Sequence, residues 1–218
     1  MKLYLNTVSK LLWNSLTELM KLKELENFRL VGGTALSLQL GHRASADIDM
    51  FTDAEYGSID FIKIEDVLRE KFAFVDSLSG DFIGMGKSFF IGNEASDLVK
   101  LDLFYTDKFV FPLIEFNQVR LASIEEIAAM KLDVIGRGGR KKDFWDFHEL
   151  LEKFSLDEMI DFYSTRYPYN YHKEEIVKGL TNFDNAEYEF TPICFKDKVW
   201  EIIKLDIEEL FKNSKPNF

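Results

Sequence analysis

The sequence is poor in residues that tie a chain together covalently. Its 218 residues include a single cysteine, Cys194, so no intrachain disulfide can form. That usage suits a reducing compartment. Proline is scarce as well: the 4 prolines never gather into a Pro/Gly/Ser-rich linker, and no repeat or low-complexity stretch is visible. No segment approaches the ~18 consecutive apolar residues that argue for a membrane helix. The opening Met1-Lys2-Leu3-Tyr4-Leu5-Asn6 lacks the apolar core of a secretory signal. A soluble, cytoplasmic protein is therefore expected. Bases are outnumbered, 27 Lys and Arg against 38 Asp and Glu, giving a formal net charge of −11. That balance excludes a broad basic coat for bulk nucleic acid. One window runs the other way: residues 108–142 hold 7 bases against 4 acids, which leaves room for a focused phosphate site. The 3 histidines, His42, His148 and His172, show no metal-ligand spacing, and Cys194 reads as a packed thiol.

Apolar material is ample. Hydrophobic residues make up 46% of the chain, with 21 Phe, 8 Tyr and 3 Trp, enough for a core without staples. Apolar periodicity predicts a helix over 8–24 and a short strand at Phe28–Val31 that breaks at Gly32-Gly33. A short helix follows over 34–40, then an alternating strand over 47–51 and a helix over 61–72. Residues 72–75 and 82–91 flank Ser79-Gly80-Asp81, which suggests a hairpin, and 98–105 reads as another strand. Beyond it the strands are expected mostly to stop. Ser123-Ile124-Glu125-Glu126 and Ser155-Leu156-Asp157-Glu158 match capping boxes and open helices. Further helices are expected over 143–154, 172–180 and 196–211. The fold class is α+β. An α/β lobe over 1–122 precedes a helical lobe over 123–218, expected to complete an active-site cleft.

The chemistry concentrates in Gly32-Gly33-Thr34 and, thirteen residues later, Asp47-Ile48-Asp49. On a strand, Asp47 and Asp49 share a face, about 7 Å apart. Two carboxylates so placed repel unless a cation lies between them, and Mg²⁺ takes one or two carboxylates, with water and phosphate completing its shell. A bare Gly-Gly backbone at a helix start can approach a phosphate closely. Arg43 and Ser45 lie between the two parts, and the Arg43 fork suits phosphate oxygens. Taken singly, each piece also fits a plain turn or a solvated strand face; their order and spacing together are more specific. Lys131 falls in the apolar stripe of Ile124, Ile127, Ala128 and Ile135. It either snorkels outward or reaches into a polar cleft. Asp143 reads equally as an N-cap. Asp146 is assigned a structural role, and Phe144, Trp145 and Phe147 are assigned to the core rather than to base stacking.

Gly32-Gly33-Thr34-Ala35-Leu36 followed by Gly41-His42-Arg43-x-Ser45-x-Asp47-Ile48-Asp49-x-Phe51 resembles the AbiEii/AbiGii toxin family, within the DNA polymerase β-like nucleotidyltransferase superfamily. MenT-type relatives look similar in the same stretch. The resemblance continues through Ile127-Ala128-Ala129-Met130-Lys131-Leu132 and Lys142-Asp143-Phe144-Trp145-Asp146-Phe147, and so spans about residues 28–154. Thr34 stands where the superfamily often has Ser. The resemblance implies a polymerase-β-like lobe with a mixed sheet, a helical C-terminal lobe, and transfer of a nucleoside monophosphate from an NTP with release of pyrophosphate. It implies that Asp47 and Asp49 bind Mg²⁺ or Mn²⁺, and that Asp102, otherwise readable as an edge or solvent-facing acid, is a third metal ligand. It makes Lys131 and Asp143 active-site residues, with Gly32, Gly33, Thr34, Arg43 and Ser45 binding the nucleotide. It further implies a toxin with a cognate antitoxin, a role in phage defence, and RNA, the tRNA 3′ end, as acceptor. In that case Lys131, Arg137, Arg140, Lys141 and Lys142 would contact phosphates. The acidic balance keeps a cationic small-molecule acceptor, of the aminoglycoside type, as an alternative. An inactive nucleotide-binding module is the non-catalytic reading.

Overall fold

The computed structural model describes residues 2–77, 84–169 and 173–212. The chain forms two compact units: Met1–Gly41 with Ser45–Ser123, and His42–Ala44 with Ile124–Phe218.

The first unit is built on one mixed sheet. Its strands are β1 (Arg29–Leu30), β2 (Asp47–Thr52), β3 (Phe74–Ser77), β4 (Gly86–Glu94), β5 (Asp97–Tyr105), β6 (Leu113–Phe116) and β7 (Val119–Ala122), in the order β3-β4-β5-β2-β1-β7-β6. The β2/β5 and β1/β7 pairs are parallel and the others antiparallel. Alternation sorts the residues of β2 and β5. Ile48, Met50, Leu101 and Leu103 are fully buried, whereas Asp47, Asp49, Lys100 and Asp102 on the opposite face are half-buried. Helix α1 (Lys10–Leu19), N-capped by Ser9, packs against β2, β4 and β5 and buries Leu12, Leu16 and Leu19. Each such leucine contributes about 1.5–3 kcal/mol. Helix α2 (Gly32–Leu40) stops at Gly41, whose left-handed φ of 72° a side chain would resist. Helix α3 (Phe61–Lys71) is capped by Asp60, and its Glu65 reaches Lys87 on β4 at 2.5 Å.

The second unit is helical. Its members are α4 (Ile124–Gly136), α5 (Lys141–Leu150), α6 (Leu156–Arg166), α7 (Lys173–Leu180), α8 (Asp184–Glu187) and α9 (Trp200–Lys212). Helix α4 packs against α5, α6 and α7, while α5 packs against α8 and α9. Phe144, Trp145 and Phe147 are core residues: all three are buried, and Trp145 stacks on Trp200 with centroids 6.5 Å apart. Glu126 pairs with Arg166, both fully buried. Ser155 and Glu158 form the expected reciprocal cap.

Several expectations need correction. The strands do not stop after 105: β6 and β7 form a hairpin whose turn, Asn117-Gln118, has positive φ at both residues. Asn-Gln lacks the glycine that flags such turns. Helix α5 begins at Lys141, two residues before Asp143, and ends at Leu150. Helix α9 starts at Trp200 rather than 196, because Lys196 and Lys198 reach Glu149 and Glu152 and Asp197 adopts a φ of 53°. The short α8 was not expected. Strands β3 and β4 do pair antiparallel, and the Ser79-Gly80-Asp81 turn lies outside the described residues, as does His172.

Arg120 on β7 ties the sheet to the turns that precede it. Its guanidinium donates to the carbonyls of Phe28, Met20 and Leu25 at 2.9, 3.0 and 2.9 Å. Arg120→Met strips three acceptors at once and should lower unfolding stability by about 2–4 kcal/mol. Urea denaturation of the two proteins measures this, and an unchanged midpoint would refute the tie.

Candidate functional site

The first unit presents a polar sheet face. In the parallel β2/β5 register, Asp47 stands opposite Lys100 and Asp49 opposite Asp102. On the far side of β5, Ser88 faces Asp102 and Phe90 faces Lys100. Three carboxylates and one ammonium thus share a patch two residues long on two strands. Lys100 Nζ donates to Asp102 Oδ2 at 2.5 Å. Asp102 Oδ1 is buried and has no hydrogen-bond partner among the described residues. Asp102 thus lies on β5 between β2 and β4, on the face that also carries Asp49, and not on an edge strand.

The glycine turn lies against this patch. Val31 N–H donates to the carbonyl of Asp49 at 2.8 Å, which lays the start of α2 alongside β2. Gly32 has φ 66°, and a Cβ there would come within 2.8 Å of Asp49 Oδ2. Only glycine lets the backbone lie so close to that carboxylate. Gly33 follows in the first turn of α2. Among the described residues the cap residue, Val31, makes no side-chain bond to this helix start, and the first turn holds no acid of its own, so the carboxylate nearest to it is that of Asp49. Thr34 is buried. Its hydroxyl hydrogen-bonds Ser45 Oγ at 2.8 Å and donates to the carbonyl of Asp47. Thr34 and Ser45 therefore latch α2 to the start of β2.

These residues suit a divalent cation that brings part of its own shell. Among the described residues no group of three His, Cys, Asp or Glu is arranged to hold a metal alone. Mg²⁺ does not need one, since it keeps waters and takes substrate phosphates. An all-oxygen donor set, an orphaned Asp102 Oδ1 and a glycine-lined approach to Asp49 match that kind of ion.

The second unit holds a buried charge cluster around Asp146, which has no exposed side-chain area. Asp146 Oδ1 accepts from Arg43 Nε at 2.6 Å and pairs with His42 Nε2 at 2.7 Å. Its Oδ2 accepts from Arg43 Nη2 at 2.7 Å and lies 2.6 Å from Lys131 Nζ. Lys131 Nζ also donates to Asp143 Oδ1 at 2.7 Å, and Asp143 Oδ2 accepts from the Arg140 N–H at 3.0 Å. Burial alone would neutralise these groups, but the pairing outweighs it. Arg43, Lys131 and His42 hold Asp146 well below the ordinary carboxylate value, and Lys131 holds Asp143 below it. Burial works against the Lys131 charge too, yet Asp146 and Asp143 raise its ammonium above the usual lysine value.

Each expected site residue can now be placed. Asp47, Asp49 and Asp102 share one sheet face, with Gly32 against Asp49. Lys131 and Asp143 form an ion pair on adjacent helices. Arg43 is buried in its fork with Asp146, and its remaining Nη1 donates to the Ala44 carbonyl at 2.9 Å, so this guanidinium is committed within the protein. The same holds for Lys141, which donates to the Glu187 carbonyl at 3.2 Å, while Arg137 pairs with Asp133. Two residues were undervalued. Asp146 is the acceptor that gathers His42, Arg43 and Lys131; its spacing of three from Asp143 on one helix face was the available signal. Lys100 belongs to the carboxylate patch, and its i, i+2 spacing from Asp102 placed it there.

Removing Asp146 should take from Arg43 and His42 the buried carboxylate they share, and should leave Lys131 its pair with Asp143. Asp146→Ala is expected to cost about 3–5 kcal/mol, read from urea midpoints. The pH dependence has a defined sign. Asp146 is more acidic folded than unfolded, so its contribution is complete above its unfolded value of ~3.9 and is lost as pH falls toward its folded value. Lys131 behaves oppositely: its contribution is complete below ~10.4 and fades as pH rises through its folded value. The parent protein should therefore lose stability more steeply than Asp146→Ala as pH drops below about 4. Parallel curves would show that the cluster is not ionised as described.

Comparison with known proteins bears on the family and the fold. The family model described as nucleotidyl transferase AbiEii toxin, of type IV toxin–antitoxin systems, matches residues 15–213. An uncharacterized protein of Aquifex aeolicus (strain VF5) is 29% identical over 199 residues, covering 85% of each chain. Among solved structures, JHP933 from Helicobacter pylori is similar with a TM-score of 0.54 at 16% identity, over 91% of this chain and 88% of its own. The nucleotidyltransferase toxin MenT4 from Mycobacterium tuberculosis H37Rv gives a TM-score of 0.56 at 12% identity, over 87% of this chain and 77% of its own. At such identities the structural likenesses carry the fold, which is the polymerase-β-like nucleotidyltransferase fold, and the family model carries the relationship. The chain belongs to the AbiEii family of nucleotidyl transferase toxins.

Proposed function

We propose that this nucleotidyltransferase moves a nucleoside monophosphate from an NTP onto an RNA hydroxyl, the 3′ end of tRNA, with Mg²⁺ or Mn²⁺ held at Asp47, Asp49 and Asp102. The observation that carries the reading is the contact between the glycine start of α2 and Asp49 on the three-carboxylate face. There the backbone of Gly32 and Gly33 can approach triphosphate oxygens beside the carboxylates. The bound ion would neutralise phosphate charge and polarise the α-phosphorus. The acceptor oxygen bonds that phosphorus, the α–β anhydride bond breaks, pyrophosphate leaves, and the hydroxyl proton passes to solvent. Thr34 and Ser45 hold β2 in place for this rather than touching phosphate. Arg43 fixes Asp146, which with Asp143 keeps Lys131 cationic. Lys131 supplies a positive charge to the reaction and Asp143 orients it. The wider reading includes a cognate antitoxin, a role in phage defence and a cytoplasmic site of action.

A second acceptor class has one observation in its favour. Lys131 and Lys141 of the basic window make internal pairs, and the chain carries a net charge of −11, which suits a cationic small molecule. Incubation with labelled NTPs, Mg²⁺ and total RNA separates the two. Label in tRNA is expected; label confined to a small molecule would replace the RNA reading. Asp49→Asn should reduce transfer at least about 100-fold, since even second-shell changes at metal sites cost ~10–100-fold. Undiminished transfer by that variant would remove the carboxylate face from the mechanism.

Gly32→Ala tests the carrying observation directly. Its Cβ must displace Asp49 or the helix start, so transfer should fall about 100-fold while the protein stays folded. Pyrophosphate release and thermal melting, measured together, decide this. Full activity would show that the close approach is incidental.

A further inference from the structure

The carboxylate face does not end at its acids. Strands β2 and β5 run in parallel register, so the residues on this face form rows: Asp47 beside Lys100, Asp49 beside Asp102, then Phe51 beside Phe104. Successive rows lie two residues, about 7 Å, apart. The alternation that sends Ile48, Met50, Leu101 and Leu103 into the core turns these two phenylalanines to the side of the carboxylates. Both stay half-buried, whereas Phe89 on β4, opposite Leu101, is fully buried. The two ring centroids lie 6.1 Å apart with their planes at 65°, an edge-to-face pair. Such a contact engages one face of one ring and leaves other ring faces for a further planar group.

The aromatic row is shaped from both sides. Toward β4, Phe104 stands opposite Gly86, where a Cβ would come within 2.6 Å of Phe104 Cδ1, so its ring rests against bare backbone. Toward β1, Phe51 stands opposite Arg29, whose guanidinium lies 3.7 Å from the centroid of the Phe109 ring. Arg29 is two residues ahead of Val31, which bonds the Asp49 carbonyl and leads into the glycine turn. Strand β1 therefore joins the aromatic row to that turn. A nucleotide has the matching pattern: a polyanionic phosphate chain, a ribose, and a flat π system. With its α-phosphorus at the carboxylate row, its base falls within one nucleoside length, and the next row offers aromatic faces. Stacking on such faces tolerates any base, because every base has a π-face.

We propose that Phe51 and Phe104 form the subsite for the base of the NTP, which stacks on their rings beside the carboxylate row. The inference rests on the proposed nucleotidyl-transfer role of Asp47, Asp49 and Asp102 and deepens it by giving the base a place. The source is the NTP rather than the acceptor because the row is tied through β1 to the glycine turn that approaches the triphosphate.

The test is calorimetric titration of the full chain, with Mg²⁺ present, against two kinds of ligand. The α,β-methylene analogues of the four NTPs carry a base; inorganic tripolyphosphate carries phosphates alone. Phe51→Leu and Phe104→Leu keep apolar bulk on the strands and remove a ring. Each should weaken the tightest-binding analogue about 5–150-fold and leave tripolyphosphate binding within about twofold of the parent. Phe51→Tyr, which keeps the ring, should bind that analogue as the parent does. Thermal melting checks the fold, and a Leu variant that melts early is replaced by the Met variant at the same position. Unchanged analogue binding in both ring-deleted variants, or equal losses for analogue and tripolyphosphate, would overturn the stacking role and leave the carboxylate reading intact. A raised KM for tRNA with analogue binding unchanged would overturn it as well and give these rings to the acceptor's base. A parent protein that binds neither ligand would overturn both readings.

Discussion

A carboxylate with no exposed side-chain area cannot stay ionised without partners, and Asp146 is such a carboxylate. It answers that constraint with Arg43, Lys131 and His42. The consequence is architectural. Residues 42–44 belong to the helical unit although the chain on either side of them builds the sheet unit. They are held there by the Arg43 fork, and by backbone hydrogen bonds from Ala44 to Ile193 and from Phe195 to His42. Gly41 ends α2 just before this excursion, and Ser45, bonded to Thr34, begins the return to β2. A buried ion pair of this kind is costly to break and contributes little net stability against an apolar alternative. Its effect is to specify which segments meet and to keep Lys131 charged.

The sheet solves a different electrostatic problem. There the carboxylates are half-buried and close, and the backbone fixes their register. Parallel pairing of β2 with β5 is what sets Asp49 beside Asp102, and alternation is what turns all of them away from Ile48, Met50, Leu101 and Leu103. The helical unit thus buries the Asp146 cluster and pairs its charges. The other keeps Asp47, Asp49 and Asp102 half-buried on one strand face, with the backbone of Gly32 against Asp49.

Much of this was legible in the chain because the relevant physics is local. Asp47 and Asp49 had to share a face once the segment was a strand, since side chains alternate. Gly32-Gly33 had to mark a break in backbone regularity, and the family resemblance attached a chemistry to it. The two serine boxes announced helix starts, and the Ser155 box has the reciprocal bonds. The reading failed where the local signal was weak or ambiguous. Asn117-Gln118 makes a tight hairpin without glycine, so β6 and β7 went unseen. Asp143 looked like the first residue of its helix, yet α5 begins at Lys141 and Asp143 bonds back to the Arg140 N–H. Lys100 was hidden by its apolar neighbours, although the same alternation that revealed Asp47 and Asp49 applied to it.

What the sequence by itself determined was therefore which side chains share a face and where the backbone must bend, because those follow from the two-residue repeat of a strand, the 3.6-residue repeat of a helix and the freedom of glycine. What only the tertiary structure decided was which charge neutralises which. Arg43 reads as a phosphate ligand in isolation, but Asp146, 103 residues away in the chain, claims its fork. The ionisation of a buried group depends on whatever partner is folded against it, and no local pattern encodes that partner.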